Sequence, residues 1–417
     1  MTERVAARPP STAGPLQRQE ARLAWSLLAP TILTVSLVII LPLLAIFWIS
    51  VKPVKLADLR PPTPTAYERL RGDIASAGDR GTIEYRLRNR SRDQAITDVR
   101  LTDTFPPGLR LVLEDDRCRQ EGTDLDCRLG DFSPGYNERL RFEVVADGDY
   151  AGGVFEPRAS EATIVGESDY VLTNARFTLA NFARVFDGNE FWAVLYATLF
   201  YTIFGTIGAI VVGLFAALIL NRDFRGQGAF RGLFLFPYVS PVIAVAFTWV
   251  TLFDPFSGSA NALLLRMDVI GEPINFFGER PMALIMVTVF EIWRYFPLSF
   301  LFILARMQAI DSDMYEAAEM DGASPFQQFF ALSIPHLMGI LSILFLLRFI
   351  WTFNKFDDIF LLTGGNAGTR TLTVNVYEQA FAISNIGAGA AVAVVIFGCL
   401  LLFSVLFFRF LNQEEGL

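Results

Sequence analysis

Two arginines stand inside stretches that otherwise carry almost no charge: Arg294 within residues 282–306 and Arg348 within residues 336–352. Ionisable groups in apolar helices long enough to cross hydrocarbon are expensive, and they mark substrate pathways or ion pairs. Each lies about twelve residues from opposite ends of its run, which at 1.5 Å per residue is about 18 Å and close to mid-layer. Aromatic rings accompany both: Trp293, Tyr295 and Phe296 beside one, Trp351 and Phe353 beside the other. Planar donors next to ring faces suit a polyol ligand such as a sugar. The competing reading is structural. Glu291 lies three residues before Arg294 on the same helix face and would pair with it, while Arg348 would serve helix packing or bind backbone carbonyls.

Other chemistries are excluded by what is missing. The single histidine, His336, follows Pro335 at the entry of an apolar run and fits a structural role. That removes Ser/His/Asp catalysis and most metal schemes. No glycine-rich loop ends in Lys and Ser or Thr, so the chain is not expected to bind ATP itself. Gly364-Gly365-Asn366-Ala367-Gly368 reads as a turn. The formal charge of -8, with no basic face, argues against a nucleic-acid partner.

A chain with 53% hydrophobic residues and 39 phenylalanines would aggregate as a soluble domain and belongs in a membrane. Residues 1–22 read as a polar, arginine-bearing cytoplasmic tail. Residues 25–51 form a first span, too long for a signal peptide and without a cleavage site. Further spans are expected at 191–220, 233–253, 282–306, 336–352 and 386–408. Arg222, Arg225 and Arg231 place the connection between the second and third inside the cell. Both chain ends are then cytoplasmic. Residues 357–385 fall outside, and 176–186 form an amphipathic interfacial segment. Small residues at the start of the last span (Gly387, Ala388, Gly389, Ala390, Ala391) permit close helix packing, and Cys399 reads as a small buried apolar residue.

Between residues 52 and 167 the composition changes. Charges are dense, and apolar and polar residues alternate as in strands, at 83–89 and again at 139–145, with turn chemistry at Pro106-Pro107-Gly108 and Ser133-Pro134-Gly135. An inserted all-β sandwich is expected. Cys118 and Cys127 lie within it, either bridged, as an extracytoplasmic site favours, or as two free thiols. Residues 101–109 and 129–135 resemble Ig-like repeats of bacterial surface proteins. The domain would contact a binding protein or simply add stability.

The stretch 314–335 reads as two short helices broken at Gly322-Ala323-Ser324-Pro325, the first acidic through Glu316, Glu319 and Asp321, the second stopping before Pro335. Glu316-Ala317-Ala318, Asp321-Gly322-Ala323 and Ile334-Pro335 resemble the EAA-loop pattern of ABC importer permeases. Residues 304–310 and 348–356 are similar to the carbohydrate branch of that family, the maltose-transporter type. The likeness covers about residues 177–412 and the first span.

The resemblance implies an all-α polytopic fold with six transmembrane helices and a permease core at 168–417. It implies an EAA coupling loop at 309–335 that docks on an ATPase through Glu316, Ala317, Ala318, Asp321, Gly322 and Pro335. It also implies partners: a second permease subunit, an ABC ATPase dimer carrying ATP and Mg, and an extracytoplasmic substrate-binding protein, all at the bacterial inner membrane among lipid. Sugar contacts carried over residue by residue fall on Tyr238, Arg294, Tyr295, Leu298, Arg348, Trp351, Thr352 and Lys355. Tyr238 reads equally as an interfacial anchor. Val242 stands where the family has a hydroxyl, which puts maltose itself in doubt. A phosphorylated polyol such as glycerol phosphate is the alternative cargo, which Arg294 and Arg348 would suit. A membrane-anchored adhesion or sensor protein would need neither the EAA pattern nor six spans.

Overall fold

The computed structural model describes residues 15–91, 94–112, 115–150, 162–186 and 189–414. The chain divides into two compact units, one formed by residues up to Val51 together with Thr178–Leu417, the other by Lys52–Phe177.

The helical unit follows from long runs without charge. Its elements are α1 (Pro15–Val35), α2 (Leu41–Ser50), α3 (Ala180–Phe186), α4 (Asn189–Leu220), α5 (Gln227–Phe234), α6 (Phe236–Val239), α7 (Val242–Leu252), α8 (Ser259–Arg266), α9 (Met282–Met307), α10 (Ser312–Met320), α11 (Pro325–Gln328), α12 (Ile334–Phe353), α13 (Asp357–Thr363), α14 (Leu372–Tyr377) and α15 (Ile386–Glu414). Among the described residues, five helical stretches are long and apolar enough to cross a membrane, or up to six if one bent pair counts as a span.

That pair corrects the continuous third span. Gln227–Val239 and Val242–Leu252 meet at 88°. Pro241 has no N–H and forces the residue before it out of the helical region, so Ser240 is extended, with φ -63° and ψ 142°. Two further expectations change. The helix of the first span begins at Pro15, inside the stretch read as tail, while residues 1–14 lie outside the described residues. The second helix of the EAA stretch does not stop before Pro335 but continues into the next span, so that Pro325–Phe353 is helical throughout.

A π-helical turn at Phe329–Ser333 makes that continuation possible. A proline inside a helix removes one hydrogen bond and crowds the carbonyl four residues back, and a wide turn just ahead relieves both. The first span repeats the arrangement, with a π turn at Ser36–Ile40 ahead of Pro42.

Residues 357–377, expected outside, pack back against the long helices: Asp358, Ile359, Thr369 and Leu372 have no solvent exposure. Ile359, Leu362 and Val374 share one apolar cluster with Ala197, Tyr201, Val287 and Phe290. In α15 the small residues act as expected, with Ala388 and Ala391 fully buried, and Cys399 is half-buried.

The second unit holds two four-stranded antiparallel sheets. With β1 (Pro64–Arg71), β2 (Arg80–Asn89), β3 (Ile96–Thr104), β4 (Leu109–Val112), β5 (Cys118–Glu121), β6 (Asp124–Phe132), β7 (Asn137–Ala146) and β8 (Thr163–Ser168), their orders are β1-β2-β7-β4 and β5-β6-β3-β8. Alternation places Ile83, Tyr85 and Leu87 of one sheet and Val99, Leu101 and Leu125 of the other in one apolar cluster. Tyr85 donates a hydrogen bond to Asp103 within that core. Burial, reinforced by the Asp103 charge, holds the phenol protonated far above the usual tyrosine range. Cys118 and Cys127 face each other across β5 and β6 and are disulfide-bonded.

Candidate functional site

The buried charges of the helical unit gather around Glu291. Its neighbour on the same face is not its partner: Arg348, on α12, donates from Nη2 to Glu291 Oε1 at 2.6 Å. Thr352, one turn along α12, donates to the same oxygen at 2.9 Å. Tyr201 on α4 donates to Oε2 at 2.8 Å. The side chains of Arg348 and Glu291 are 2% and 1% exposed. An isolated buried ion pair roughly breaks even against its desolvation, but here two hydroxyls satisfy the carboxylate further and bind three helices together. Gly205 makes room on α4, since a Cβ there would stand 2.9 Å from Glu291 Cγ.

Arg294 takes the role that the sequence had offered to Arg348. Its Nη1 donates to Pro237 O at 3.3 Å and its Nη2 to Ser240 O at 3.1 Å. These carbonyls belong to the break in the bent span, where no helical N–H can reach them, so the guanidinium caps an interrupted helix from outside. The ion pair expected between Glu291 and Arg294 is therefore replaced by two separate arrangements.

A second buried carboxylate completes the cluster. Asp358, at the start of α13, has no solvent exposure, and neither of its oxygens accepts a hydrogen bond among the described residues. It lies 3.7 Å from Lys355 Nζ and 4.0 Å from Arg294 Nε. Lys355 also meets the half-exposed Asp357 at 3.2 Å. The ring of Tyr295 lies among the cations, its centroid 4.6 Å from Lys355 Nζ, 4.7 Å from the Arg348 guanidinium carbon and 5.6 Å from that of Arg294. Tyr238 stands edge-on to it at 6.0 Å.

The residues named from the sequence thus divide. Tyr238 and Trp351 are exposed, Tyr295, Leu298 and Lys355 are partly exposed, and Arg294, Arg348 and Thr352 are buried. Arg348 and Thr352 are committed to Glu291 and offer no free surface to a ligand in this arrangement. Sequence reasoning missed Asp358 and Tyr201. The Lys355–Asp358 spacing of three residues was the available signal for the first. Tyr201, one of two tyrosines in a long apolar helix, gave none.

The acidic elbow lies at the other end of α12. Asp311 caps α10 by accepting from Asp313 N. Gly322 takes φ 82°, the left-handed conformation that closes a helix. Ser324 and Gln327 form a reciprocal cap that starts α11, with Pro325 in its first turn. Glu316, Ala317, Asp321 and Gly322 are exposed and Ala318 is half-buried. Met320 and Phe326 are 89% and 72% exposed on either side of the turn. An acidic helix flanked by two uncovered apolar side chains is built to be covered. Tyr315 and Ser333 share a 2.9 Å hydrogen bond that ties this helix to the π turn.

A family model described as "Binding-protein-dependent transport system inner membrane component" matches residues 209–414. The inner membrane ABC transporter permease protein YcjO of Escherichia coli is 36% identical over 247 residues, 59% of this chain and 78% of that protein. The trehalose/maltose transport system permease protein MalF of Thermococcus litoralis is 32% identical over 232 residues, 55% of this chain and 78% of that protein. The sn-glycerol-3-phosphate transport system permease protein UgpA of Yersinia pestis is 30% identical over 240 residues, covering 57% and 80%. Among solved structures, a chain of a bacterial ABC transporter that imports the acidic polysaccharide alginate has a similar fold. Its TM-score is 0.50 at 19% identity, over 57% of this chain and 85% of that one.

Proposed function

Because the chain belongs to the binding-protein-dependent transport system inner membrane component family, we propose that it is the multi-pass permease subunit of an ABC importer that carries a mono-, di- or oligosaccharide into a bacterial cytoplasm. It is a transport subunit and not an enzyme. ATP and Mg belong to partner ATPases, and a second permease and an extracytoplasmic binding protein complete the assembly. The observation that carries this reading is the exposed acidic helix α10 with Gly322, Met320 and Phe326 at its turn. In this reading Glu316, Ala317, Ala318, Asp321 and Gly322 meet the ATPase, and Pro335 marks where the coupling element joins the span.

Carbohydrate is favoured by the exposed ring of Tyr238 beside Tyr295 and Lys355, a stacking face with an adjacent donor, and by the exposed ring of Trp351. Arg294, Arg348 and Thr352 hold the scaffold behind that face. Closure of the ATPases moves α10 and the helix it leads into, and the site opens alternately to the two sides. Both termini and the EAA loop are cytoplasmic, and the two-sheet unit is an Ig-like sandwich on the opposite side. The test is Glu316→Lys in the full assembly, read by ATPase co-purification and by uptake of radiolabelled sugars. Loss of both is expected, because like charge then faces the partner. Unchanged association and transport would reduce the loop to a connector.

A further inference from the structure

The charges behind the aromatic face balance. Arg294, Arg348 and Lys355 stand against Glu291, Asp357 and Asp358. Within this set Glu291 is engaged by Arg348, Thr352 and Tyr201, with Arg348 its ion-pair partner at 2.6 Å. Asp357 is 45% exposed and reaches only Lys355, so water screens its contribution. Arg294 donates to two neutral carbonyls, which solvate the guanidinium without cancelling its charge. The buried compensation for both Lys355 and Arg294 therefore rests on Asp358, within 4.0 Å of each and without a hydrogen bond of its own among the described residues. Its effect is electrostatic.

We propose that Asp358 is a specificity-determining residue that keeps the face formed by Tyr238, Tyr295 and Lys355 selective for uncharged polyols. Burial, and then the Glu291 charge, push the Asp358 carboxyl up to about 8, against the pull of Lys355 and Arg294. Above that pH it is ionised, Lys355 acts as a hydrogen-bond donor without a surplus field, and a phosphorylated ligand gains no net attraction while losing its hydration. Removing that one negative charge leaves an uncompensated Lys355–Arg294 pair beside an open aromatic face, which is the composition of an anion site. This inference rests on the carbohydrate reading above and sharpens it.

The probe is glycerol 3-phosphate, titrated calorimetrically at about pH 9, where the Asp358 carboxyl is ionised, into the detergent-purified assembly of both permeases and the ATPases without nucleotide or binding protein. The wild-type assembly is expected to show no saturable binding, and so are Asp358→Glu and Asp357→Asn. Asp358→Asn is expected to gain binding at least tenfold tighter than wild type, and the added change Lys355→Met is expected to abolish the gain. Wild-type binding within threefold of Asp358→Asn overturns the proposal, as does an assembled Asp358→Asn that gains nothing. Saturable binding to wild type that Lys355→Met removes overturns it without reference to any Asp358 variant. Uptake of neutral radiolabelled sugar by wild type is read separately, so failure of the transport reading is distinguished from failure of the charge argument.

Discussion

Replacing Glu291 tests the polar knot most directly. Glu291→Leu strips Arg348 of its only carboxylate partner among the described residues and leaves the hydroxyls of Thr352 and Tyr201 without their acceptor. Breaking a buried pair from one side costs about 3–5 kcal/mol, because the remaining charge is stranded. Hydrogen bonds between membrane helices are worth only about 0.6 kcal/mol on average, so the two hydroxyls add little beyond the charge. Tyr201→Phe alone should therefore cost about 0.5–1 kcal/mol. Arg348→Met should cost less than Glu291→Leu, since a stranded carboxyl can take up a proton whereas a guanidinium cannot lose one. The double variant Glu291→Leu with Arg348→Met removes both charges and should recover most of the loss. Denaturant unfolding of the purified assembly, followed by helical circular dichroism, provides the cycle. Additive costs in the double variant, or a Glu291→Leu cost no larger than that of Tyr201→Phe, would refute the argument.

Further expectations concern other parts of the chain. Arg294→Leu uncaps Pro237 O and Ser240 O at the bent span; cysteine accessibility at residues 237–241 should rise and uptake should fall at least tenfold while the assembly still forms, and unchanged accessibility would deny the cap. In the two-sheet unit Arg117 bridges Asp115 and Glu138 at 2.7 and 2.8 Å, and it holds both carboxyls below the usual range. Groups lowered on folding contribute stability above their unfolded values, near 4, and lose it as pH falls through the folded ones. Hydrogen-exchange protection factors of β5 to β7, corrected for the intrinsic pH dependence of exchange, should thus be flat from pH 7 to about 5 and fall below about 4, and Arg117→Leu should shrink that step. Cys118→Ser with Cys127→Ser opens a bridge of sequence separation 9; the loop-closure relation gives a loss of about 2–3 kcal/mol for the unit, and an unchanged denaturation midpoint would contradict it.

The elements that could be read from sequence are those set by local pattern. Apolar length gives α4, α9 and α15, alternation gives β2 and β7, and Gly322 with Pro325 gives the elbow. The errors fall where the answer depends on residues far apart. Glu291 and Arg294 share a helix face, so the local rule pairs them, yet Arg348 arrives from another helix with a shorter contact. The two arginines exchanged roles for that reason. Asp358 follows Lys355, Phe356 and Asp357 and reads as a polar loop, and its burial becomes visible only when α13 folds back on the cluster of Tyr201 and Phe290. The break at Pro237 and Pro241 was written in the sequence, but the apolar run around it masks a bend whose carbonyls need a donor from α9.

Continuity from Pro325 to Phe353 has a mechanical consequence. Twenty-nine helical residues make a rod of about 44 Å at 1.5 Å per residue. Arg348 grips α9 near one end, about 35 Å from Pro325, and so serves as a fulcrum. A push of about 5 Å at the elbow would swing the rod through roughly 8° about that point, a small angle that packed helices accommodate by sliding. Beyond the fulcrum the short arm carries Trp351, Thr352 and, just past the helix end, Lys355. In the proposed function, force applied at the acidic elbow would thus be delivered, geared down several-fold in distance, to the end of α12 that carries Trp351 and leads to Lys355.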